Sequence, residues 1–287
     1  MRPIAFATHR GLLELAPGDR LAADELRARG VAVEAIAWDD PAIDWRRFAA
    51  VVVRSCWDYT ARLDEFLAWA DRVAAQTQLW NPPALLAWNA RKTYLRDLAA
   101  RGVDIVPTEW LLPGSAASLE DVVRARGWSE VVVKPIVSAS AADTFRIPPG
   151  QAASAQPLLD RLRRGSGALV QPFLPEIQSA GEWSLVFFAS GYSHAVGKRP
   201  APGDFRVQLE HGGTLHRRHA PEALLAAAHR AADALPRPLL FARVDGVEAS
   251  GRFLVMEVEC IEPELFLAGD RELAGRFADA VGALATL

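Results

Sequence analysis

Cysteine is scarce in this sequence of 287 residues, and long apolar runs are missing from it. The two cysteines, Cys56 and Cys260, are far apart and lack the short spacing of a metal-binding pair. Free thiols in a reducing compartment are the simpler interpretation, so we expect a cytoplasmic protein. No segment approaches the roughly 18 apolar residues of a membrane span, and the short run after Met1 is not typical of a signal peptide. We therefore expect no membrane partner.

Strong charge of either sign is also absent. The formal net charge is −3, which does not favour a general polyanion binder, and we expect no nucleic-acid partner. Apolar residues make up 51% and charged residues 23% of the chain, as in a folded globular protein. The length corresponds to one large domain or, in our interpretation, to two or three lobes.

Strand and helix patterns alternate along the chain and predict an α/β (α+β) class. Apolar runs at 3–8, 31–37 and 51–53, with helical periodicity at 19–29 and 63–74, indicate an N-terminal α/β lobe over residues 1–88. A second lobe, 89–165, begins with a helix over 90–101 that Asn89 is expected to cap. It also contains a helix over 118–126 and a strand over 131–135. The third lobe, 166–287, is expected to hold strands at 168–174, 183–188, 241–247 and 252–260, and helices over 221–235 and 272–286.

The strand from Phe253 to Cys260 carries two carboxylates at alternate positions. Alternation predicts one face with Leu254, Met256, Val258 and Cys260, and an opposite face with Phe253, Val255, Glu257 and Glu259. Adjacent carboxylates repel unless a cation lies between them, and hard divalent cations bind such oxygens. Asp245 joins this set only if the hairpin loop has odd length, because a two-residue turn would point it to the wrong face. The alternative is a solvated face whose acids meet arginine or lysine.

Lysine is rare, since arginine supplies nearly all the positive charge. Lys92, Lys134 and Lys198 therefore stand out, because lysine is a compact charge suited to phosphate oxygens. Lys134 ends a buried strand, and Lys92 lies in the first turn of its helix, where a cation opposes the helix dipole. The alternatives are a lobe-edge lysine that reaches water and an exposed charge that is simply tolerated.

Three further segments could contact a nucleotide. Small residues and serines after Lys134, including Ser138 and Ser140, could approach a phosphate closely. The segment Gln171-Pro-Phe-Leu-Pro175 could offer free backbone groups to an adenine edge, and Glu182, or less favourably Glu176, could hold ribose. Arg206 could clamp a phosphoryl group. A plain surface loop and an ordinary connector explain the first two segments equally well.

The segment Arg54-Ser-Cys-Trp-Asp-Tyr59 follows a parallel-type strand. Ligands of open α/β sheets usually bind at such strand ends. Cys56 is not favoured as a nucleophile, since no histidine is near it in the sequence to activate it.

The order of these segments is more specific than any one of them. Lys92, the Val-Val-Lys134-Pro strand, the Gln-Pro-Phe-Leu-Pro hinge, Arg206, Asp245 and Glu257-Val-Glu259 together resemble the ATP-grasp superfamily, closest to its glutathione-synthetase and ribosomal-protein-modifying branch. The Arg-Ser-Cys-Trp-Asp-Tyr segment and the Ile-Glu-Pro-Glu-Leu-Phe266 segment are similar to the ATP-grasp enzymes of cycloserine biosynthesis, which close O-ureido-serine to a ring. The resemblance covers about residues 89–270. It implies an N-terminal substrate-binding lobe followed by two α+β subdomains that sandwich ATP.

The resemblance also implies roles for individual residues. Lys92, Lys134, Ser138 and Ser140 contact ATP phosphates, Gln171, Phe173 and Leu174 form the adenine hinge, Glu182 holds ribose, and Lys198 lies over the nucleotide. Arg206 stabilises an acyl phosphate, and Asp245, Glu257 and Glu259 hold magnesium, with manganese as an alternative. Glutathione synthetase has asparagine where Glu259 stands, which adds a negative charge here. Substrate contacts are expected from Arg54, Ser55, Asp58, Tyr59 and Glu262.

The predicted activity is an ATP- and magnesium-dependent carboxylate–amine ligase with a small amino-acid-like substrate, favouring a cyclo-ligase on an O-ureido-serine-like compound. An intermolecular amino-acid or peptide ligase and a non-catalytic nucleotide-binding protein remain as alternatives. A homodimer is left open.

Overall fold

Within residues 2–189 and 191–284, which the computed structural model describes, three four- or five-stranded sheets organise the chain. Their mixture of parallel and antiparallel pairing with helices confirms the expected α/β (α+β) class. None of the helices in these ranges is long and apolar enough to cross a membrane.

The N-terminal lobe is a parallel sheet with helices on both faces. Its elements are β1 (Ile4–Thr8), α1 (Pro17–Ala28), β2 (Val33–Ala37), β3 (Ala50–Val53), α2 (Leu63–Ala74), β4 (Gln78–Trp80) and α3 (Pro83–Asn89). The strand order is β2-β1-β3-β4, and β3 is buried along its whole length, as its continuous apolar run predicts. Strand β4 escaped prediction because three residues are too few to show a period.

The middle lobe is an antiparallel sheet in the order β5-β8-β6-β7. The elements that follow α3 are α4 (Tyr94–Ala100), β5 (Glu109–Leu111), α5 (Leu119–Arg126), β6 (Val131–Pro135), β7 (Phe145–Ile147), α6 (Gln156–Arg164) and β8 (Ala168–Pro172). Strand β8 pairs with β6, so the predicted boundary at residue 165 falls inside this sheet rather than at its end.

Asn89 does not cap a helix, contrary to the prediction. It is the last residue of α3, and its side-chain amide donates to the Val258 carbonyl at 2.8 Å and accepts from the Cys260 N–H at 2.7 Å. Helix α4 begins only at Tyr94, whose hydroxyl accepts from the Val258 N–H at 2.9 Å. These bonds fasten the segment that contains Lys92 to the C-terminal lobe.

The C-terminal lobe is an antiparallel sheet in the order β11-β10-β9-β12-β13. Its elements are α7 (Glu176–Ser179), β9 (Glu182–Phe188), β10 (Gly191–Arg199), β11 (Thr214–Arg218), α8 (Glu222–Asp233), β12 (Phe241–Ala249), β13 (Arg252–Glu259) and α9 (Arg271–Leu284). Strands β10 and β11 were not predicted. The last helix was predicted to reach residue 286, of which the part after Leu284 lies outside the described residues. Helices α4 and α8 cover one face of this sheet, and its other face is turned to a cavity.

Candidate active site

Asp245 on β12 and Glu257 on β13 lie directly opposite each other, although the hairpin turn has even length. The turn is the pair Ser250-Gly251. Between the turn and the acids the register shifts by one residue, because Met256 is an extra, bulged residue on β13. The expectation that a two-residue turn would exclude Asp245 was therefore wrong, since the bulge compensates for the turn.

The bulge also changes which residues of β13 share a face. Phe253 and Val255 pack in the core beneath the sheet, whereas Glu257 and Glu259 line the cavity on the other side. The predicted common face for these four residues is corrected accordingly. Gly246 lies at the register shift, where a Cβ atom would be only 2.5 Å from Phe253 Cζ.

The carboxylates face a cavity of about 430 Å³ at the junction of the lobes. The predicted site residues on its wall are Lys92, Lys134, Ser138, Ser140, Gln171, Phe173, Leu174, Glu182, Lys198, Arg206, Asp245, Glu257, Glu259 and Glu262. They include every lysine of the chain. A smaller adjoining cavity of about 20 Å³ is lined by Tyr59 and shares Lys92, Ser138, Glu257, Glu259 and Glu262 with the main one.

Arg243, which the sequence interpretation missed, neutralises two of the three proposed metal ligands. Its guanidinium donates to Asp245 at 2.8 to 3.0 Å and to Glu259 at 2.6 Å. Burial tends to raise the pKa of both carboxyls. Arg243 and Lys198 outweigh burial at Asp245 and lower its pKa to about 2, whereas the pKa of Glu259 is raised to about 7. The detectable signal was the Arg-x-Asp spacing, which puts both side chains on one strand face.

Two lysines pair with the remaining acids of this face. Lys92 Nζ lies 2.7 Å from Glu257 Oε1, and Lys198 Nζ lies 2.8 Å from Glu182 Oε1. Burial tends to raise the pKa of Glu257, but the positive charge of Lys92 outweighs burial, and the pKa of this carboxyl is lowered. The glutamate thus stays ionised and available to a metal ion or to a positively charged group.

Lys134 is buried on β6, and its ammonium group has no hydrogen bond or ion pair with any residue in the ranges 2–189 and 191–284. Burial lowers its pKa, because the charged form loses its water without gaining a close partner. An unpaired lysine on the wall of a cavity indicates an anionic ligand.

The expected adenine hinge is less free than the sequence indicated. The Gln171 side chain donates to Thr108 Oγ1 at 2.8 Å, and the Phe173 N–H donates to the Glu130 carbonyl at 2.9 Å. Phe173 is covered on one face by the Arg146 guanidinium, 3.8 Å from the ring centroid. These contacts make the hinge rigid while its cavity side stays accessible.

The loop after Lys134 uses left-handed backbone without glycine. Ser140, Ala141 and Asp143 have φ values of 51°, 53° and 53°, which non-glycine residues adopt uncommonly. The carbonyl of Ser138 accepts from Lys92 Nζ at 2.7 Å, which anchors one end of the loop.

Arg206 lies on the cavity wall but is partly exposed. Its guanidinium is held by Asp204, with Nη2 2.8 Å from Oδ2, and it keeps the pKa of Asp204 well below the usual range. The pairing orients the arginine without burying it.

Arg54, Ser55 and Asp58 are not brought to either cavity, which corrects the expectation that they contact substrate. Arg54 is 2% exposed, and its Nε donates to Asp19 Oδ1 at 2.7 Å. Ser55 donates to the other oxygen of Asp19 at 2.6 Å, and Asp58 accepts from the Trp38 indole at 2.9 Å. Arg54 also donates to the carbonyl of residue 263 at 2.9 Å, so this motif joins the first and last lobes.

The carboxylates of Asp245, Glu257 and Glu259 form an acidic face on β12 and β13, and their oxygens are ligands of the kind that magnesium prefers. They do not form a complete metal site by themselves. Among the residues that the structure describes, no three acidic, histidine or cysteine side chains converge into a group that could hold a metal ion. Magnesium is commonly bound by one or two carboxylates together with substrate phosphates rather than by a cage of protein oxygens. The face fits that mode, with Glu257 and Glu259 its more accessible carboxylates and Asp245 buried beside them.

The chain is similar to known proteins over most of its length. A profile of the N-terminal domain of D-cycloserine synthetase DcsG matches residues 4–81. The cycloserine biosynthesis protein DcsG of Streptomyces lavendulae is 38% identical over 274 residues, which is 89% of each chain. A crystal structure of D-cycloserine synthetase DcsG has a TM-score of 0.89 at 34% identity, covering 98% of this chain and 99% of that one. A RimK-domain ATP-grasp protein from Sphaerobacter thermophilus has a TM-score of 0.72 at 20% identity, covering 97% and 98%, and shares the fold.

Proposed function

The chain belongs to the family of the cycloserine biosynthesis protein DcsG within the ATP-grasp ligases, and from that premise we propose that it closes an O-ureido-serine-like amino acid to cycloserine. In the proposed reaction the substrate carboxylate attacks the γ-phosphorus of ATP and forms an acyl phosphate and ADP. The oxygen-bound nitrogen of the ureido group then displaces phosphate and closes the ring, and hydrolysis of the carbamoyl group that remains on this nitrogen releases carbon dioxide and ammonia and leaves cycloserine.

The observation that carries this proposal is the meeting of all three lysines with the acidic face of β12 and β13 in one cavity. A nucleotide triphosphate brings several negative charges, and Lys134 has no other partner for its charge among the described residues. The charge pattern therefore favours a phosphate group near Lys134 and Lys92.

The proposed nucleotide contacts divide between two lobes. Lys134 and the loop that contains Ser138 and Ser140 bind phosphate oxygens, the backbone near Leu174 meets the adenine edge, and Glu182 holds ribose. Lys198 orients Glu182 at 2.8 Å, and its charge opposes the rise that burial causes in the pKa of this carboxyl. Closure of the 138–143 loop would exclude water from an acyl phosphate that hydrolyses readily.

Glu257 and Asp245, with Glu259, would hold magnesium together with the phosphates. When bound, magnesium neutralises charge on the β- and γ-phosphates and aligns them for transfer. The chain's own part is to position the groups. Arg206 lies where it can stabilise negative charge on the transferred phosphoryl group, and Asp204 fixes its orientation.

The test is ADP release with magnesium across a panel of amino acids, supplied singly and in pairs. ADP formation with O-ureido-serine alone, with cycloserine detected by mass spectrometry, is the expected result. Turnover only with two amino acids together would indicate an intermolecular ligase instead. No turnover with any acceptor would leave a non-catalytic nucleotide-binding protein.

A further inference from the structure

Glu262 is a buried carboxyl group of the cavity that lacks a partner. The residue is 8% exposed and lies on the wall of both the main and the smaller cavity. Within residues 2–189 and 191–284, its oxygens take part in no hydrogen bond and no ion pair. Because an unpaired buried carboxylate is unfavourable, this position indicates a ligand that brings donors or positive charge.

The other buried or half-buried carboxyl groups on this wall each have a donor. The pairs are Glu182 with Lys198, Asp245 and Glu259 with Arg243, Glu257 with Lys92, and Glu264 with the Phe266 N–H. The absence of a partner is therefore particular to Glu262 and is not a general property of the acidic wall.

The nearest arginines do not reach Glu262. Arg243 and Arg54 favour its ionised form only at longer range, and neither forms a hydrogen bond with it. The donors of Arg243 are directed to Asp245, Glu259 and a backbone carbonyl. Arg54 Nε and Nη2 are directed to Asp19 and a backbone carbonyl, and its buried Nη1 has no partner among the described residues. Burial first, and then repulsion from Glu259, raises the pKa of Glu262 well above its ordinary value. A cation placed against Glu262 would stabilise its ionised form and so lower its pKa again.

The cavity thus presents two ionisable side chains without a partner among the described residues, the base Lys134 and the acid Glu262. A nucleotide contributes anionic groups and can satisfy only Lys134, so Glu262 must be matched by the second ligand. The small cavity beside Glu262 and Tyr59, at about 20 Å³, has room for one water-sized group, and an ammonium head is of that size. Its charged lining consists of Lys92 and three carboxyl groups, Glu257, Glu259 and Glu262, and so is acidic on balance.

We propose that Glu262 binds the ammonium group of the amino-acid substrate and selects amino acids over analogues that lack it. The inference rests on the proposed function. With its ammonium held at Glu262, the substrate carboxylate is free to point into the main cavity, where Lys92 and Arg243 supply positive charge.

The first test needs no variant. ADP formation by the wild-type protein is compared for O-ureido-serine and for 3-(ureidooxy)propanoate, which is the same molecule without the amino group. Since removing one partner of a buried charge pair is costly, we expect kcat/KM to favour the amino compound by roughly 30-fold or more. Equal kcat/KM values would overturn the inference.

The second test locates the preference. Glu262→Gln should lower kcat/KM for the amino compound by roughly 30-fold or more and leave the desamino compound unaffected, so that the preference disappears. Glu264→Gln is the matched control, because the Glu264 carboxyl already accepts from a backbone N–H, and it should keep the preference. A Glu262→Gln protein that keeps the preference, or that only requires more magnesium, would overturn the inference.

Failure of the proposed function is distinguishable from failure of this inference. If the wild-type protein forms no ADP with any amino acid, the proposed function is rejected. Calorimetric binding of the same two compounds in the presence of magnesium and a non-hydrolysable ATP analogue then decides the role of Glu262. Tighter binding of the amino compound that is lost in Glu262→Gln supports it, and equal affinity contradicts it.

Discussion

Arg243 and Glu259 form a partly buried ion pair, with 2.6 Å between Nη2 and Oε1, on the face proposed to hold magnesium. The extra negative charge at position 259, where glutathione synthetase has asparagine, is thus matched by a cation from the neighbouring strand. The pair explains how three carboxylates coexist on one face before any metal binds. Glu257 is paired in the same way with Lys92 at 2.7 Å, so each of these two glutamates has one cationic protein partner.

Replacement of Glu257 should abolish turnover. Glu257→Gln keeps the shape of the side chain but removes the negative charge expected to bind magnesium and to pair with Lys92. We expect ADP release to fall by about 10³-fold, since loss of a charged group that orients phosphates is typically worth several kcal/mol. Glu120→Gln is the control, because Glu120 is exposed on α5, and ADP release by this variant should be unchanged. Near-normal turnover of the first variant would contradict the metal assignment.

Lys134→Ala should weaken nucleotide binding. Lys134 is buried and unpaired within the described residues, so its charge is fully available to a phosphate. A buried charge-assisted contact is worth about 1.5–3 kcal/mol, which corresponds to roughly 10- to 150-fold in the Kd for ATP. Calorimetric titration with an ATP analogue measures this. An unchanged Kd would remove Lys134 from the nucleotide site.

Arg54→Met should destabilise the protein without changing the KM for substrate. The variant leaves the Asp19 carboxylate buried at 4% exposure without its cation, a change that typically costs about 3–5 kcal/mol. Thermal unfolding should show a clear drop in Tm. Arg124→Met breaks an exposed pair with Asp121 and should change stability by less than about 0.5 kcal/mol. A raised KM at an unchanged Tm would instead return Arg54 to the substrate site.

Gly246→Ala should disturb the bulge that aligns the acids. The added Cβ would lie 2.5 Å from Phe253 Cζ and 2.6 Å from the Leu254 carbonyl, and the backbone oxygen cannot move without a change of register. We expect a loss of about 2–4 kcal/mol in the free energy of unfolding, as for other overpacked or strained positions, together with lower activity. Gly282→Ala in α9 meets no atom within 4 Å and should be neutral or stabilising. Equal stability of both variants would argue against a tight bulge.

The contribution of His194 to the stability of the protein should fall as the pH decreases from about 6.5 to about 4. Burial lowers the pKa of His194 to about 4, so in this range the unfolded chain binds a proton that the folded protein excludes. The contribution of this one group is at most about 3 kcal/mol and levels off below the folded pKa. Denaturant unfolding at several pH values measures it, and the difference between the wild type and His194→Gln isolates it from the carboxylates. Parallel pH curves for the two proteins would contradict the assignment.

Local signals were enough for much of the fold and for several residues that line the main cavity. The strand and helix periods of the first lobe, the rarity of lysine and the alternate acids at Glu257 and Glu259 are properties of neighbouring residues. These signals depend only on composition and on spacing along the chain, so they can be read from the sequence without the structure. The positions of Lys92, Lys134 and Lys198 on one cavity wall followed from their order among the predicted elements.

Tertiary structure alone decided how these groups are paired. A single bulged residue, Met256, determines that Asp245 faces Glu257, and a register shift of one residue leaves no mark in composition or period. Arg54 pairs with Asp19, which is distant in sequence, and only the fold brings the two together. Only the fold, likewise, shows that no protein donor reaches Glu262 among the described residues. The sequence determined which charges are available, and the fold determined which of them are neutralised by protein partners and which are left for ligands.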